Sequence, residues 1–500
     1  MQTRDRADHR VSRRRFLGLA VLGGGTAALL TACGGAPAPG ATASPAPARQ
    51  AAATPEVKVS DAVAKTLPPT PTPVPLLTPV PQAAGTTKLL MRVHWSAGRF
   101  NDFQTILNKY NETQGPQDKI YIALERFVAG QAGPIGTFIA DYQAGTQEDI
   151  YHLNDAYLAD LASRGFFSPP PKEIQAYIKE HYLPSAVQTG TWEGQIMGHP
   201  TENQPHVLFI NKKMAEEAGL DIVKNPPKTW DDLRRMAKQL TKRDAGGQKV
   251  QAGFIVHNPT STSTSGERVF VQRLMFQYMA GAPFVDTSVT PPKFDVTSEG
   301  ARQFTEWLYN TAKADNSGSQ DMGPQDIIWQ ARKGAIISHD AWAVIFQVIA
   351  NGTPGLVDEQ HTLGIMSPDG SRIGNMSRNY HFLVSSKSKY KDLAWKHLEW
   401  LNHGPEYRMQ DFQTNTFGFV PSVKNYPMPK PFPEQMKKAF LDSMATPYQT
   451  AMPIMKGLSE AYTIMRDSHD ALLLGQMDPK QFTEKVDTEL KKMVQDAYSK

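Results

Sequence analysis

An α/β protein of two lobes is the fold class this sequence predicts, on three observations. At 500 residues the chain exceeds what one hydrophobic core commonly organises. From Lys88 onward, short apolar runs alternate with amphipathic stretches, the pattern of strands covered by helices. That alternation then occurs a second time, after a central stretch that begins at Thr191.

Taken in order, Lys88–Trp95 predicts the first strand. Asn101-Asp102 is expected to cap the next helix, with Phe103, Ile106, Leu107 and Tyr110 on one face. Ile120–Phe127 predicts a second strand and Gly130–Gly136 a loop, while Ile135, Phe138, Ile139 and Tyr142 suit a helix face. Asp149–Leu153 predicts a third strand. Asn154-Asp155 then caps a helix that ends at Gly165. The expected product is a mainly parallel sheet covered on both faces. In open α/β sheets, ligands gather just beyond the carboxyl ends of the strands. Here that places His94, Trp95 and Ser96 beside Val128, Ala129, Asn154 and Asp155.

The central stretch, Thr191–Leu233, holds a turn, a short apolar strand at Val207–Ile210, and a helix capped by Asn211 and closed by Gly219. After Asn225-Pro226-Pro227, Thr229 and Asp232 form a capping box for a second helix. The second block continues with strands at Gly253–Val256 and Ala335–Ser338 and a helix at Glu299–Tyr309. Phe382–Ser385 is a further strand and Asp392–Leu401 a helix. Asp478-Pro479 opens a last helix whose stripe of Phe482, Val486, Leu490 and Val494 is expected in the core.

The N-terminus carries an address. Residues 1–32 hold six arginines against two aspartates, which accounts for the whole formal charge of +4. The remainder is neutral, so bulk electrostatics give no reason to bind nucleic acid. Arg13-Arg14 before an apolar run from Phe16 to Leu30 predicts a signal peptide, similar to twin-arginine export signals. The run is shorter than the ~20 residues that span a bilayer. Leu30-Thr31-Ala32-Cys33 resembles a lipobox, and Cys33 is the single cysteine of the chain. Lipid on that thiol would anchor the protein to a membrane; the other reading is a stray cysteine beside the signal. A disulfide within the chain and a Cys-rich metal cluster are both excluded. Residues 33–85 read as a linker. Twelve prolines between Gly34 and Gly85 disfavour helix and sheet. An extended form would reach up to roughly 150 Å at ~3.1 Å per residue.

Several segments resemble the extracellular solute-binding proteins of bacterial ABC importers, in the maltose-binding-protein-like branch. The matching pieces are Trp192–Pro200, Leu208–Lys212, Glu217–Leu220 and Pro227–Leu233, then Arg332–Ala343 and Phe382–Lys389 followed by Ala394-Trp395. Gln195 and Met197 depart from the family's usual Lys and Tyr. The resemblance implies a two-lobed α/β fold of the type II periplasmic-binding-protein kind, with three crossings near Pro200, Tyr380 and Thr446. Lobe one would hold 86–199 and 381–445, and lobe two 200–380 and 446–500. A small polar solute, most readily a sugar, would lie between them. Trp95, Asp155, Glu202, Asn203, Gln204, Asn258, Asp340, Trp342 and Tyr380 are the candidate ligand residues. Aromatic platforms and short polar groups suit sugar faces and hydroxyls. Trp342 and Trp95 have a core packing role as the alternative, and Asp155 a capping role. The expected partners are the solute, the permease subunits and a membrane reached through the lipid, with the protein a monomer. No cofactor or metal is expected. Catalytic motifs such as His-Glu-x-x-His, Gly-x-Ser-x-Gly and the phosphate-binding loop are missing from the sequence. A secreted carbohydrate-active enzyme and a sensor or adhesion lipoprotein stand as alternatives.

Overall fold

Two long strands lie side by side at the centre of the sheet, and each changes chemical character along its length. The computed structural model describes residues 74–499, except 94, 96, 127–132, 258–264, 324, 341–354 and 431. The sheet has twelve strands: β1 (Thr87–Val93), β2 (Ile120–Arg126), β3 (Ile150–Asn154), β4 (Phe167–Ser168), β5 (Gly198–Asn211), β6 (Lys242–Arg243), β7 (Lys249–Ile255), β8 (Gly334–Asp340), β9 (Gln360–Leu363), β10 (Ile365–Met366), β11 (Ile373–Ser385) and β12 (Gln449–Ala451). Its main path runs β2-β1-β3-β11-β5-β8-β7-β6. The short strands β4, β10 and β12 pair with β11, and β9 pairs with β5. The helices that bear on the site or its support are α1 (Ala97–Glu112), α2 (Trp230–Leu240), α3 (Ser265–Met279), α4 (Glu299–Tyr309), α5 (Lys391–Asn402), α6 (Glu434–Ala445), α7 (Leu458–Leu473) and α8 (Pro479–Tyr498).

The two wings of the sheet belong to different cores. Leu89, Met91, Ile120, Ile122 and Ile150 join Phe382 and Val384 of β11 in one apolar cluster with Phe103 and Leu107 of α1 and Trp395 and Leu398 of α5. Leu208 and Ile210 of β5, Phe254, Ile336 and Met376 join another with Trp230, Phe270, Phe304, Leu458 and Val486. Burying such side chains stabilises each by ~1.5–3 kcal/mol. Between the clusters, β5 reads His199-Pro200-Thr201-Glu202-Asn203-Gln204-Pro205-His206 and β11 reads Ser377-Arg378-Asn379-Tyr380-His381. This is where a sheet between two cores has polar side chains to spare.

The two strands are antiparallel, with Tyr380 opposite Glu202 and Arg378 opposite Gln204. His381 then faces Pro200, so Thr201 is one residue extra on β5, a bulge. Bulges bend a strand and increase its twist. This one lies beside the expected first crossing at Pro200.

Several expectations need correcting. Along its main path the sheet is parallel only in its wings, at β2-β1-β3 and β8-β7; β11 and β5 are antiparallel to each other and to their outer neighbours, and off that path the short β12 adds to β11 in parallel. Val207–Ile210 and Phe382–Ser385 are the apolar ends of much longer strands, whose polar middles hid the continuation. Asn101-Asp102 does not cap α1, which begins at Ala97. Asn154 makes no side-chain cap either. The expected caps at Asn211, Thr229–Asp232 and Asp478 are present, the last two as capping boxes. The stripe of α8 is buried in the core.

Candidate functional site

Strand alternation selects the site. Side chains two apart point to one face of a sheet, and opposed residues share that face. Glu202, Gln204 and His206 on β5 therefore lie with Arg378 and Tyr380 on β11 and Asp340 on β8, which pairs with His206. Asn154 on β3 pairs with Tyr380 and joins them. All except the partly buried Tyr380 are nearly sealed from solvent.

Three polar groups make up this face. In the first, Arg99 at the start of α1 donates to Glu202 Oε2 at 2.8 Å, and Gln204 donates to Glu202 Oε1 at 2.7 Å. Gln413 contacts both Arg99 and Glu202. The guanidinium also lies 4.4 Å from the Trp95 ring centroid and 4.9 Å from those of Phe417 and Phe419. Burial raises the Glu202 pKa, with Arg99 and Gln204 opposing.

In the second, Asp155 Oδ2 accepts the Asn379 backbone N–H at 2.8 Å. Its other oxygen, Oδ1, is buried with no hydrogen-bond partner. Burial pushes this carboxyl up to about 7, against the pull of Arg378 and the Asn379 N–H. Arg378 pairs with Glu267 of α3, while its Nε makes no hydrogen bond. Tyr380 stacks on His152, with centroids 5.2 Å apart and planes 15° apart. His152 Nε2 lies 3.0 Å from Thr201 Oγ1. The ring of Tyr380 is thus fixed beside the bulge.

In the third, Asp340 lies 3.5 Å from His206 Nε2 and 3.4 Å from His339 Nδ1. Burial opposes its ionisation, but the hydrogen bond from His339 and the charges around it, Arg378 among them, outweigh it and hold the carboxyl below the usual range. The His206 and His339 rings stack at 5.7 Å, and His257 meets His339 edge-on at 5.9 Å. Neither nitrogen of His206 has a hydrogen-bond partner. Burial lowers its pKa to about 3, so it is neutral at pH 7.

Buried polar groups without partners are costly, about 1–3 kcal/mol each. Asp155, Asn154, Gln272, His206 and Arg378 all keep such atoms around this one face. A polar ligand would satisfy them.

Of the expected site residues, Glu202, Gln204, Asp340, Tyr380 and Asp155 come together here. Trp95 is buried against Phe103 and Phe412 at centroid distances of 5.0 and 5.8 Å, with Arg99 over its ring. Asn203 points to the opposite face, where its Nδ2 meets Met444 Sδ of α6 at 3.7 Å. Asn258 and Trp342 lie outside the described residues, as do His94, Ser96, Val128 and Ala129, and Arg13, Arg14 and Cys33 of the N-terminus. Arg99, Arg378, Glu267 and His206 were not anticipated. His206 and Arg378 follow from carrying the alternation of Glu202–Gln204 and of Tyr380 two residues further. Arg99 and Glu267 come from distant helices, and no local pattern marks them.

A family model described as bacterial extracellular solute-binding protein matches residues 105–439, about two thirds of the chain. Among solved structures, an ABC transporter solute-binding protein of Thermotoga lettingae bound with α-D-tagatose is 18% identical. It aligns with 82% of this chain and 100% of its own, at a TM-score of 0.63. Maltose-bound MalE3 of T. maritima is 17% identical over 81% and 99%, at 0.64. The GacH receptor of Streptomyces glaucescens, solved unliganded and with acarbose, is 16% identical over 82% and 99%, at 0.66. These likenesses establish the two-lobed fold. Among curated sequences, the sn-glycerol-3-phosphate-binding periplasmic protein UgpB of Rhizobium meliloti is 25% identical over 154 residues, 29% of this chain and 35% of that one. A protein of Brucella abortus described as a binding protein is 25% identical over 114 residues, 23% and 26%. The chain thus aligns with only about a quarter to a third of these curated relatives' length.

Proposed function

The chain belongs to the bacterial extracellular solute-binding proteins, and from that premise we propose that its polar middle face captures a sugar or oligosaccharide between two lobes for delivery to an ABC permease. The family and its structural neighbours are binding proteins rather than enzymes, and the family's place is outside the cytoplasm. Among the described residues no helix is long and apolar enough to cross a membrane.

The observation that carries the proposal is the run of buried, partly unsatisfied polar side chains on β5, β8 and β11 between two apolar cores. The proposed lobes keep the boundaries expected from the sequence, 86–199 with 381–445, and 200–380 with 446–500. Asp155, Glu202, Gln204, Asp340 and Tyr380 are the proposed ligand contacts, joined by Arg378 and His206. Trp95 supports Arg99 from below. Asn258 and Trp342 remain proposals from the sequence, as do lipidation at Cys33, export through Arg13-Arg14, membrane attachment and a monomeric state.

The likeness to UgpB raises a second reading, a phosphate ester. Charge argues against it. Arg99 and Arg378 already face Glu202 and Glu267, and Asp155 and Asp340 add further acid. The half-buried Arg268 of α3 does not reverse that balance. A dianion would enter a face with no unclaimed positive charge among its described buried groups. Thermal unfolding with a panel of neutral mono- and oligosaccharides, and with glycerol 3-phosphate, tests both readings. A ligand at 100 times its Kd adds ~2.7 kcal/mol. Stabilisation by a neutral sugar and none by the phosphate is expected; the reverse result overturns the sugar assignment.

A further inference from the structure

Residues 75–80, the end of the Pro-rich linker, lie along α1 and are held by side-chain amides. Asn101 Nδ2 donates to the Pro75 carbonyl at 2.8 Å, and its Oδ1 accepts the Leu77 N–H at 2.7 Å. Asn108 repeats the arrangement one rung on. Its Nδ2 donates to the Thr78 carbonyl at 3.4 Å, and its Oδ1 accepts the Val80 N–H at 3.2 Å. Gln104 donates to Asn108 Oδ1 at 2.8 Å and braces it. Tyr121 Oη donates to the Val80 carbonyl at 2.7 Å and closes the ladder.

The two periodicities fit. Asn101 and Asn108 are seven residues apart, about 10.5 Å of helix. Leu77 and Val80 are three residues apart, one polyproline II turn of about 9.3 Å. The positions that supply N–H groups are not proline, whereas Pro73, Pro75, Pro79 and Pro81 surround them and favour the extended form before docking. Leu76 and Leu77 of the strap are turned outward, 52% and 41% exposed, and Val80 is half-buried. Its backbone is therefore what is gripped.

We propose that this amide ladder on α1 is a docking site for an extended, proline-rich chain, and that its occupant is the end of the protein's own linker. The linker is then held on the helix that delivers Arg99 to the candidate site, two residues before Asn101. A pull on the linker reaches α1 before it reaches β1.

The test is hydrogen exchange at single-amide resolution on the full chain. The amides of Leu77 and Val80 are expected to exchange at least tenfold more slowly than those of Leu76 and Thr78. Asn101→Ala should release Leu77, and Asn108→Ala should release Val80. The strap variant Leu77→Ala/Val80→Ala, which leaves every body residue intact, should keep both slow. Equal rates in the wild type would overturn the proposal. So would slow exchange surviving the asparagine variants, or loss of protection in the double alanine strap, which would assign the grip to side chains.

Discussion

Arg99 and Glu202 face each other across 2.8 Å with almost no exposure to water. Removing one partner from such a pair leaves an uncompensated buried charge, a loss of about 3–5 kcal/mol. Arg99→Met is therefore expected to destabilise by that amount in urea unfolding, and Arg99→Met/Glu202→Gln to recover most of it. The histidines set the pH dependence. Burial lowers His206, His397 and His469 to about 3 and His381 to about 4, from 6.5. The unfolded chain then binds protons that the folded chain refuses. Their contribution is fully present above pH 6.5 and is lost as pH falls towards 4. Asp155 and Asp470, raised to about 7, act the other way, and their contribution is lost as pH rises through 7. Among the described residues eight imidazoles are lowered against five carboxyls raised, so the melting temperature is expected to fall between pH 6.5 and 4. His397→Phe, at a site edge-on to Tyr110 and stacked on Trp400, should flatten that fall.

Strands and helices were legible in the sequence where their chemistry was uniform. Glu299–Tyr309, the capping box at Thr229 and the helix start at Asp478-Pro479 declare themselves locally, since a cap needs only residues a few positions apart. β5 and β11 did not, because their buried polar centres look like loop while their apolar ends look like separate short strands. The candidate site was half legible for the same reason. Glu202, Gln204 and Tyr380 lie within recognisable segments, but their charge partners Arg99 and Glu267 arrive from helices more than a hundred residues away from Glu202 and Arg378 respectively. Packing between elements gives its own prediction. A Cβ on Gly253 of β7 would run into the Ala237 carbonyl of α2. Gly253→Ala should therefore force α2 off the sheet and lower the denaturant midpoint sharply. Loss of the Thr229 cap, as Thr229→Ala, should cost only about 1 kcal/mol by the same measurement.

At the scale of the whole molecule, β11 serves both cores, Phe382 and Val384 in one and Met376 in the other, and β5 pairs along its length, so neither core can lose its strands without disturbing the other. Unfolding by heat is expected to be a single transition, with calorimetric and van't Hoff enthalpies in agreement; two resolved peaks would contradict this. The same sharing has a consequence during synthesis. β3 pairs with β11, and the chain from Asn154 to Ile373 must be made before that neighbour exists. Until then a nascent chain carries the β2-β1-β3 wing with one edge unpaired, the kind of edge that invites wrong partners. A ribosome-arrested chain ending near residue 330 should remain protease-sensitive across β1–β3 and bind a holdase chaperone. Extending it past Asn402 should remove both properties together.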